Sequence, residues 1–201
     1  MMVDTVLTRE FPFLVGYYGY ITMPAYVSFI LFADFIKNSS NLSQLLVFSS
    51  FVAINQGSNG ILKQVCQQPR PANQINIVYH DSLTNPKLGM PSGHAQSVMF
   101  ALTFLYLYTK NPLVLTVGAI MTLLTLMQRI LYCKHTPLQV AVGSMLGILL
   151  GYIGFNASKI VNIDNNLLNT ALIIIIIPVS FYVDHYNLAE KKLLPFLKIS
   201  K

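Results

Sequence analysis

Three short stretches of this 201-residue chain hold most of its reactive side chains. The first, Lys63-Gln-Val-Cys-Gln-Gln-Pro-Arg70-Pro71, supplies two cations. Seven residues would be about two turns of a continued helix, but Pro69 is expected to turn the chain before Arg70. The second, Gly89-Met-Pro91-Ser92-Gly93-His94, opens an apolar stretch. Ser92 is of N-cap type, and the helix N–H groups beyond it, with Gly93 allowing close approach, suit phosphate oxygens. His94, in that first turn, can give a proton to a leaving oxygen. The third, Arg129-Ile-Leu-Tyr-Cys-Lys-His135-Thr-Pro-Leu-Gln139, joins two apolar stretches. Arg129 stands near the end of an apolar helix, where an unpaired cation is costly. Thr136, Pro137 and Gln139 have capping-box spacing with proline at the first helical position.

Each stretch also has a plainer reading. Lys63 and Arg70 can snorkel to lipid headgroups; Ser92 can simply cap, and His94 can be an interfacial histidine. Gln139 can close the capping box, or its amide oxygen can accept the N–H of His135 and fix the ring tautomer. Taken together, three cations, a phosphate-ready helix start and two imidazoles point to phosphoryl hydrolysis, which positioned positive charge assists more than covalent machinery does. One imidazole would attack phosphorus while the other protonates the departing oxygen. No Cys, His and carboxylate set has metal-ligand spacing, so neither a metal nor another cofactor is expected.

The elements that must position these residues are membrane helices. Only 10% of the chain is charged and 54% is apolar, against about 25% charged in a soluble domain. That excludes an ordinary soluble enzyme, a disordered chain and a disulfide-rich secreted one. Apolar windows fall at about 11–36, 42–62, 92–108, 112–131, 137–155 and 167–183, each near the ~20 residues of a bilayer span. Asn55, Gln56 and Asn59 interrupt the second window, which is therefore expected inside the bundle. The acidic, Arg-containing stretch 1–10 lacks a small-residue cleavage site and reads as preceding an uncleaved anchor. Six spans place the three reactive stretches on one side of the membrane. Gly143, Gly147 and Gly151 recur every four residues, a spacing that suits close helix packing within the bundle over a dimer seam.

The order Lys-x6-Arg-Pro, Pro-Ser-Gly-His and Arg-x5-His resembles the type 2 phosphatidic acid phosphatase superfamily across about residues 59–147. Where that superfamily usually has Ser before the Arg and Asp after the His, this chain has Gln128 and Gln139. Asn59-Gly-Ile-Leu-Lys63, Gly-Met-Pro-Ser-Gly-His and His135-Thr-x-x-Gln139 are similar to the dolichyl-diphosphatase branch, which also carries Gln there. The resemblance implies an all-α, haloperoxidase-like core of about six transmembrane helices, one membrane-embedded phosphatase domain over 1–201 with a basic tail at 184–201. It implies that His135 is the nucleophile and His94 the proton donor and later water activator. Lys63, Arg70 and Arg129 would hold phosphate oxygens, with Ser92 and the Gly93 N–H assisting and Gln139 orienting His135. The substrate implied is dolichyl or another polyprenyl diphosphate, recycled for N-glycosylation in the endoplasmic reticulum.

Other residues are expected to be structural. Cys66 and Cys133 read as free thiols before a bridge that an oxidising compartment could permit, His80-Asp81 as a solvated turn before a substrate contact, and Asp184-His185 as a span end. Lys191, Lys192, Lys198 and Lys201 read as a tail on anionic lipid, and tyrosines near span ends as an interface belt. No basic run outside that tail suits nucleic acid, and nothing sets an oligomeric state. Ten of the 13 Lys and Arg lie on the side of the reactive stretches. The positive-inside rule puts that side in the cytoplasm, whereas the resemblance implies the lumen. Three rivals stand beside this reading: a broader lipid phosphatase acting on phosphatidic acid or other prenyl diphosphates, a lipid phosphotransferase, and a non-catalytic headgroup-binding protein.

Overall fold

The computed structural model describes residues 2–75 and 87–161, and every regular element among them is helical. In order these are α1 (Met2–Lys37), a 3-10 turn (Ser39–Asn41), α2 (Leu42–Cys66), α3 (Gly93–Tyr108), α4 (Pro112–Leu131) and α5 (Pro137–Ile160). The sixth apolar window, the basic tail, His80-Asp81 and Asp184-His185 lie outside the described residues. Four helical stretches are long and apolar enough to cross a membrane: Gly16–Lys37, Leu42–Cys66, Pro112–Leu131 and Pro137–Ile160.

The distribution of side chains on α4 and α5 is that of a protein solvated by lipid. The buried residues of α4 are Gly118, Thr122, Thr125, Gln128 and Arg129, while Leu113, Ile120, Leu123 and Leu131 are exposed. On α5, Gln139, four glycines and Ser158 turn inward, and Leu138, Met145, Leu149 and Tyr152 turn out. Water would penalise that arrangement, whereas hydrocarbon accepts the apolar faces and leaves small and polar groups to pack helix on helix.

The central element is α3, which packs against all four other helices. At 16 residues it is about 24 Å long at 1.5 Å per residue, shorter than the ~30 Å hydrocarbon core. Wrapped by longer neighbours, it need not match the bilayer. This corrects the expectation that α2 is the interior helix. Asn55 and Asn59 of α2 are buried, but Ile54, Ile61 and Val65 on its other face are exposed. The amides therefore meet their polar needs on one face only. Phe48 of α2 lies against Phe100 and Phe104 of α3, with ring centroids 5.2 and 4.9 Å apart, in the middle of the apolar core.

The glycines of α5 set the closeness of its contact with α3. A Cβ at Gly143 would lie 2.5 Å from the Ser92 carbonyl oxygen, and one at Gly151 2.6 Å from that of Phe100; one at Gly147 would strike the carbonyl of Gln96. The spacing of four on one helix thus answers the spacing of four on the other. The stripe is an intramolecular seam.

Candidate active site

The ends of α2 and α4 and the starts of α3 and α5 meet at one end of the bundle. Helix α2 stops at Cys66, where Gln67 takes a left-handed backbone (φ 45°) and donates its N–H to the Lys63 carbonyl. The turn therefore comes two residues before Pro69, and Arg70 lies beyond it on an irregular segment. Between α4 and α5 the chain reverses through Cys133, also left-handed (φ 52°). The Arg129 carbonyl accepts the backbone N–H groups of Lys134 (3.0 Å) and His135 (3.1 Å), tying the turn to the last turn of α4.

His135 is 3% exposed and held on three sides. Its Nδ1 lies 2.8 Å from the Gly89 carbonyl oxygen and 3.1 Å from Gln139 Oε1, and its Nε2 lies 3.1 Å from Arg70 Nη1. Two oxygens at Nδ1 require the proton there, and a guanidinium can only donate. These partners assign the tautomer: Nδ1 donates and Nε2 carries the lone pair. Burial, then the charges of Arg70, Arg129 and Lys63, hold the imidazole well below its ordinary titration range, with the Gln139 hydrogen bond opposing in part. The resting ring is neutral.

Gln139 performs both functions left open by the sequence. Thr136 Oγ1 accepts the Gln139 N–H and Gln139 Oε1 accepts the Thr136 N–H, closing the capping box. The same Oε1 faces His135, while Nε2 donates to Gln68 Oε1 (3.0 Å) and the Pro69 carbonyl (2.8 Å). The backbone partners Thr136 N–H and Pro69 C=O fix which way round the amide sits. Gly89 must be glycine for this packing, since a Cβ there would lie 2.6 Å from Gln139 Nε2.

The start of α3 is held from below by amides. Asn59 donates to Gln96 Oε1 (2.8 Å) and, more weakly, to the Pro91 carbonyl (3.4 Å). Gln96 in turn donates to the carbonyl and side chain of Asn55 and to Ser58 Oγ. A Cβ at Gly93 would sit 2.9 Å from Asn59 Oδ1, so glycine is needed there for a neighbouring helix. Asn55 and Asn59 thus serve bundle packing. Ser92 occupies the N-cap position, but its side chain makes no cap hydrogen bond. Its N–H instead goes to the Gln139 carbonyl (3.1 Å). Its buried Oγ, like His94 Nε2, has no hydrogen-bond partner among the described residues. A buried hydroxyl left this way can serve an incoming oxyanion.

All five charged or titratable residues singled out in the sequence gather here. Arg129, His135, Arg70 and Lys63 lie within electrostatic reach of His94, and the same three cations act on His135. Cys66 and Cys133 are both free thiols. Among the described residues no group of three His, Cys, Asp or Glu is placed to hold a metal ion. Three contributions were not legible in advance. The Gly89 carbonyl and the Gln68 side chain brace the His135–Gln139 pair, and a backbone acceptor leaves no mark on a sequence. The rings of Tyr17 and Tyr20 lie beside His94, where the run Gly16-Tyr-Tyr-Gly19-Tyr was the available signal.

A lipid-solvated helical bundle that collects two imidazoles and three cations at one end is a scaffold able to receive an oxyanionic headgroup. The chain belongs to the PAP2 superfamily, whose family model matches residues 44–162. It is 32% identical over 124 residues to Dolichyldiphosphatase 1 of Mus musculus, covering 54% of this chain and 50% of that protein. It is 31% identical over 124 residues to Dolichyldiphosphatase 1 of Homo sapiens, with the same coverage. The chain spans about half the length of these curated relatives. No solved structure matches it.

Proposed function

We propose that the protein is a membrane lipid phosphatase that hydrolyses a lipid diphosphate, dolichyl diphosphate in the first instance, to the lipid monophosphate and phosphate. The observation that carries this reading is the His135 geometry: a buried neutral imidazole, its Nδ1 proton anchored by Gly89 and Gln139, its Nε2 lone pair turned toward Arg70. The site receives the terminal phosphate among Lys63, Arg70 and Arg129, with Ser92 Oγ and the Gly93 N–H on its remaining oxygens. The Arg70 guanidinium passes from Nε2 to a phosphate oxygen and releases the lone pair. His135 Nε2 forms a bond to phosphorus as the bond to the bridging oxygen breaks, and His94 gives that oxygen a proton. Water then attacks the phosphohistidine and yields its proton to His94. Phosphate leaves, and both histidines return to their starting states.

Membership in the PAP2 superfamily and the likeness to two dolichyldiphosphatases support the lipid and diphosphate parts of this reading. In that role the enzyme would return the carrier lipid for N-glycosylation at the endoplasmic reticulum. The test is phosphate release from dolichyl diphosphate by the purified protein in detergent, with phosphatidic acid and a short prenyl diphosphate in parallel. Wild type is expected to release phosphate at an undiminished rate with chelator present, and His135→Ala to fall below about one thousandth of it. Near-normal turnover by His135→Ala defeats the assignment. Loss of turnover with chelator defeats the metal-free scheme, and headgroup binding without turnover leaves a binding protein.

A further inference from the structure

We infer that Tyr17 and Tyr20 of α1 are positioning residues of the active site, forming an aromatic wall that fixes the plane of His94 and, through Tyr17, the head of Arg129. Helix α1 lies before the span matched by the family model, so nothing in that match assigns it a part. The His94 ring lies 4.1 Å from that of Tyr20 and 5.7 Å from that of Tyr17, centroid to centroid. The Arg129 guanidinium carbon stands 5.6 Å from the centroid of the Tyr17 ring, within cation–π range. One aromatic ring therefore bears on both the proposed proton donor and a proposed phosphate cation. Since His94 Nε2 has no hydrogen-bond partner among the described residues, that end of the ring takes its orientation from packing. A proton donor must reach its oxygen within about 2.6–3.2 Å, so a ring free to tilt would often miss.

The backbone of α1 is seated to make this wall rigid. A Cβ at Gly16 would lie 2.5 Å from the Leu124 carbonyl oxygen, and one at Gly19 would strike the Thr125 side chain, so both glycines press α1 onto α4. On the other side, Ser97 Oγ donates to the Tyr20 carbonyl (3.0 Å), one turn beyond His94 on α3. The run Gly16-Tyr17-Tyr18-Gly19-Tyr20 thus places glycines on α4 and two rings on the site. Tyr17 is 7% exposed and Tyr18 44%. Tyr18 fits the interface belt expected of such residues; Tyr17 and Tyr20 depart from it because the glycines draw their face of α1 inward.

This inference rests on the lipid phosphatase reading for its kinetic arm but not for its chemical one. In the full-length protein in detergent, Tyr20→Leu is expected to lower kcat for phosphate release about tenfold, with KM changed less than threefold. Tyr20→Phe, which keeps the ring, is expected to restore most of that loss. Tyr17→Leu is expected to lower kcat and also to raise KM, because it touches Arg129. In a double-mutant cycle the Tyr20→Leu loss should vanish when His94 is already alanine. Equal defects in Phe and Leu variants, or a Tyr20→Leu loss that persists in the His94→Ala background, would overturn the proposal. The chemical arm is the rate of His94 modification by diethyl pyrocarbonate, mapped by mass spectrometry. Tyr20→Leu should raise it severalfold and Tyr20→Phe should not, whether or not any lipid is turned over. An unchanged rate in Tyr20→Leu overturns the wall, whereas an inactive wild type with the expected labelling pattern defeats only the phosphatase reading.

Discussion

Arg70 and Gln139 hold opposite ends of one imidazole ring, and they do so with opposite electrostatic effects. Burial, Arg70, Arg129 and Lys63 disfavour the imidazolium, and the Gln139 amide favours it weakly. His135 therefore stays unprotonated to a pH below the ordinary histidine value, and its acid limb in kcat/KM, which reports the free enzyme, is expected below about 6.5. Arg70→Gln removes one cation that depresses the titration, so the limb should move up in pH while KM rises. A pH profile of both proteins checks the sign; a limb that moves down would contradict it. The double role of Gln139 can be separated in the same way. Thr136→Ala removes only the cap and should cost about 1 kcal/mol of stability with kcat near wild type. Gln139→Ala should lower kcat about a hundredfold, read by steady-state kinetics beside thermal unfolding. The charged members of this cluster were legible in the sequence, because cations and histidines are costly at membrane depth and their order was specific. The braces were not, since the Gly89 carbonyl and the Gln68 amide act through positions that only the folded chain brings together.

At the scale of helices, residue type and spacing located the elements well where polar punctuation was strong. Both ends of α4 and the start of α5 follow from Pro112, Lys134 and Pro137, whereas α5 runs on to Ile160, past the expected 155. Where an end is set by packing, sequence said less: α2 runs to Cys66, past the expected 62, and stops where Gln67 turns left-handed, whereas α3 starts at Gly93 behind Ser92 as its residues indicate. Its interior place was hidden because a helix that is apolar all round looks the same facing lipid or facing neighbours. The glycine seam was visible, and its partner was not. Gly147→Leu should be strongly destabilising, by about 3 kcal/mol, because a side chain there meets the α3 backbone. Gly57→Ala is the matched control: nothing lies within 4 Å of a Cβ at Gly57, so a gain of about 0.5 kcal/mol is expected from helix propensity alone. Thermal unfolding of the two variants in one detergent compares them directly.

For the whole molecule, the compartment that the polar end faces can be read from one thiol. Cys66, at the end of α2 beside the site, is a free and exposed thiol, and it reports that end directly. The resemblance described above implies a lumenal site, in opposition to the positive-inside rule. In sealed microsomes, a Cys133→Ser protein should then resist a membrane-impermeant maleimide at Cys66 and react once the vesicles are opened. Labelling of intact vesicles would assign the site to the cytoplasm, in line with the excess of Lys and Arg at that end.

The meshing of α3 with α5 resembles a rack whose teeth repeat every fourth residue, and an evenly toothed rack can also engage one notch along. Such a slip would carry the two helices about 6 Å past each other, separating the histidines while sparing much of the seam. The Ser92 N–H to Gln139 carbonyl bond and the His135 contact with the Gly89 carbonyl together form the latch that distinguishes one notch from the next. Damage confined to that latch would leave a molecule that keeps its helices and its heat resistance yet has lost the alignment its chemistry needs.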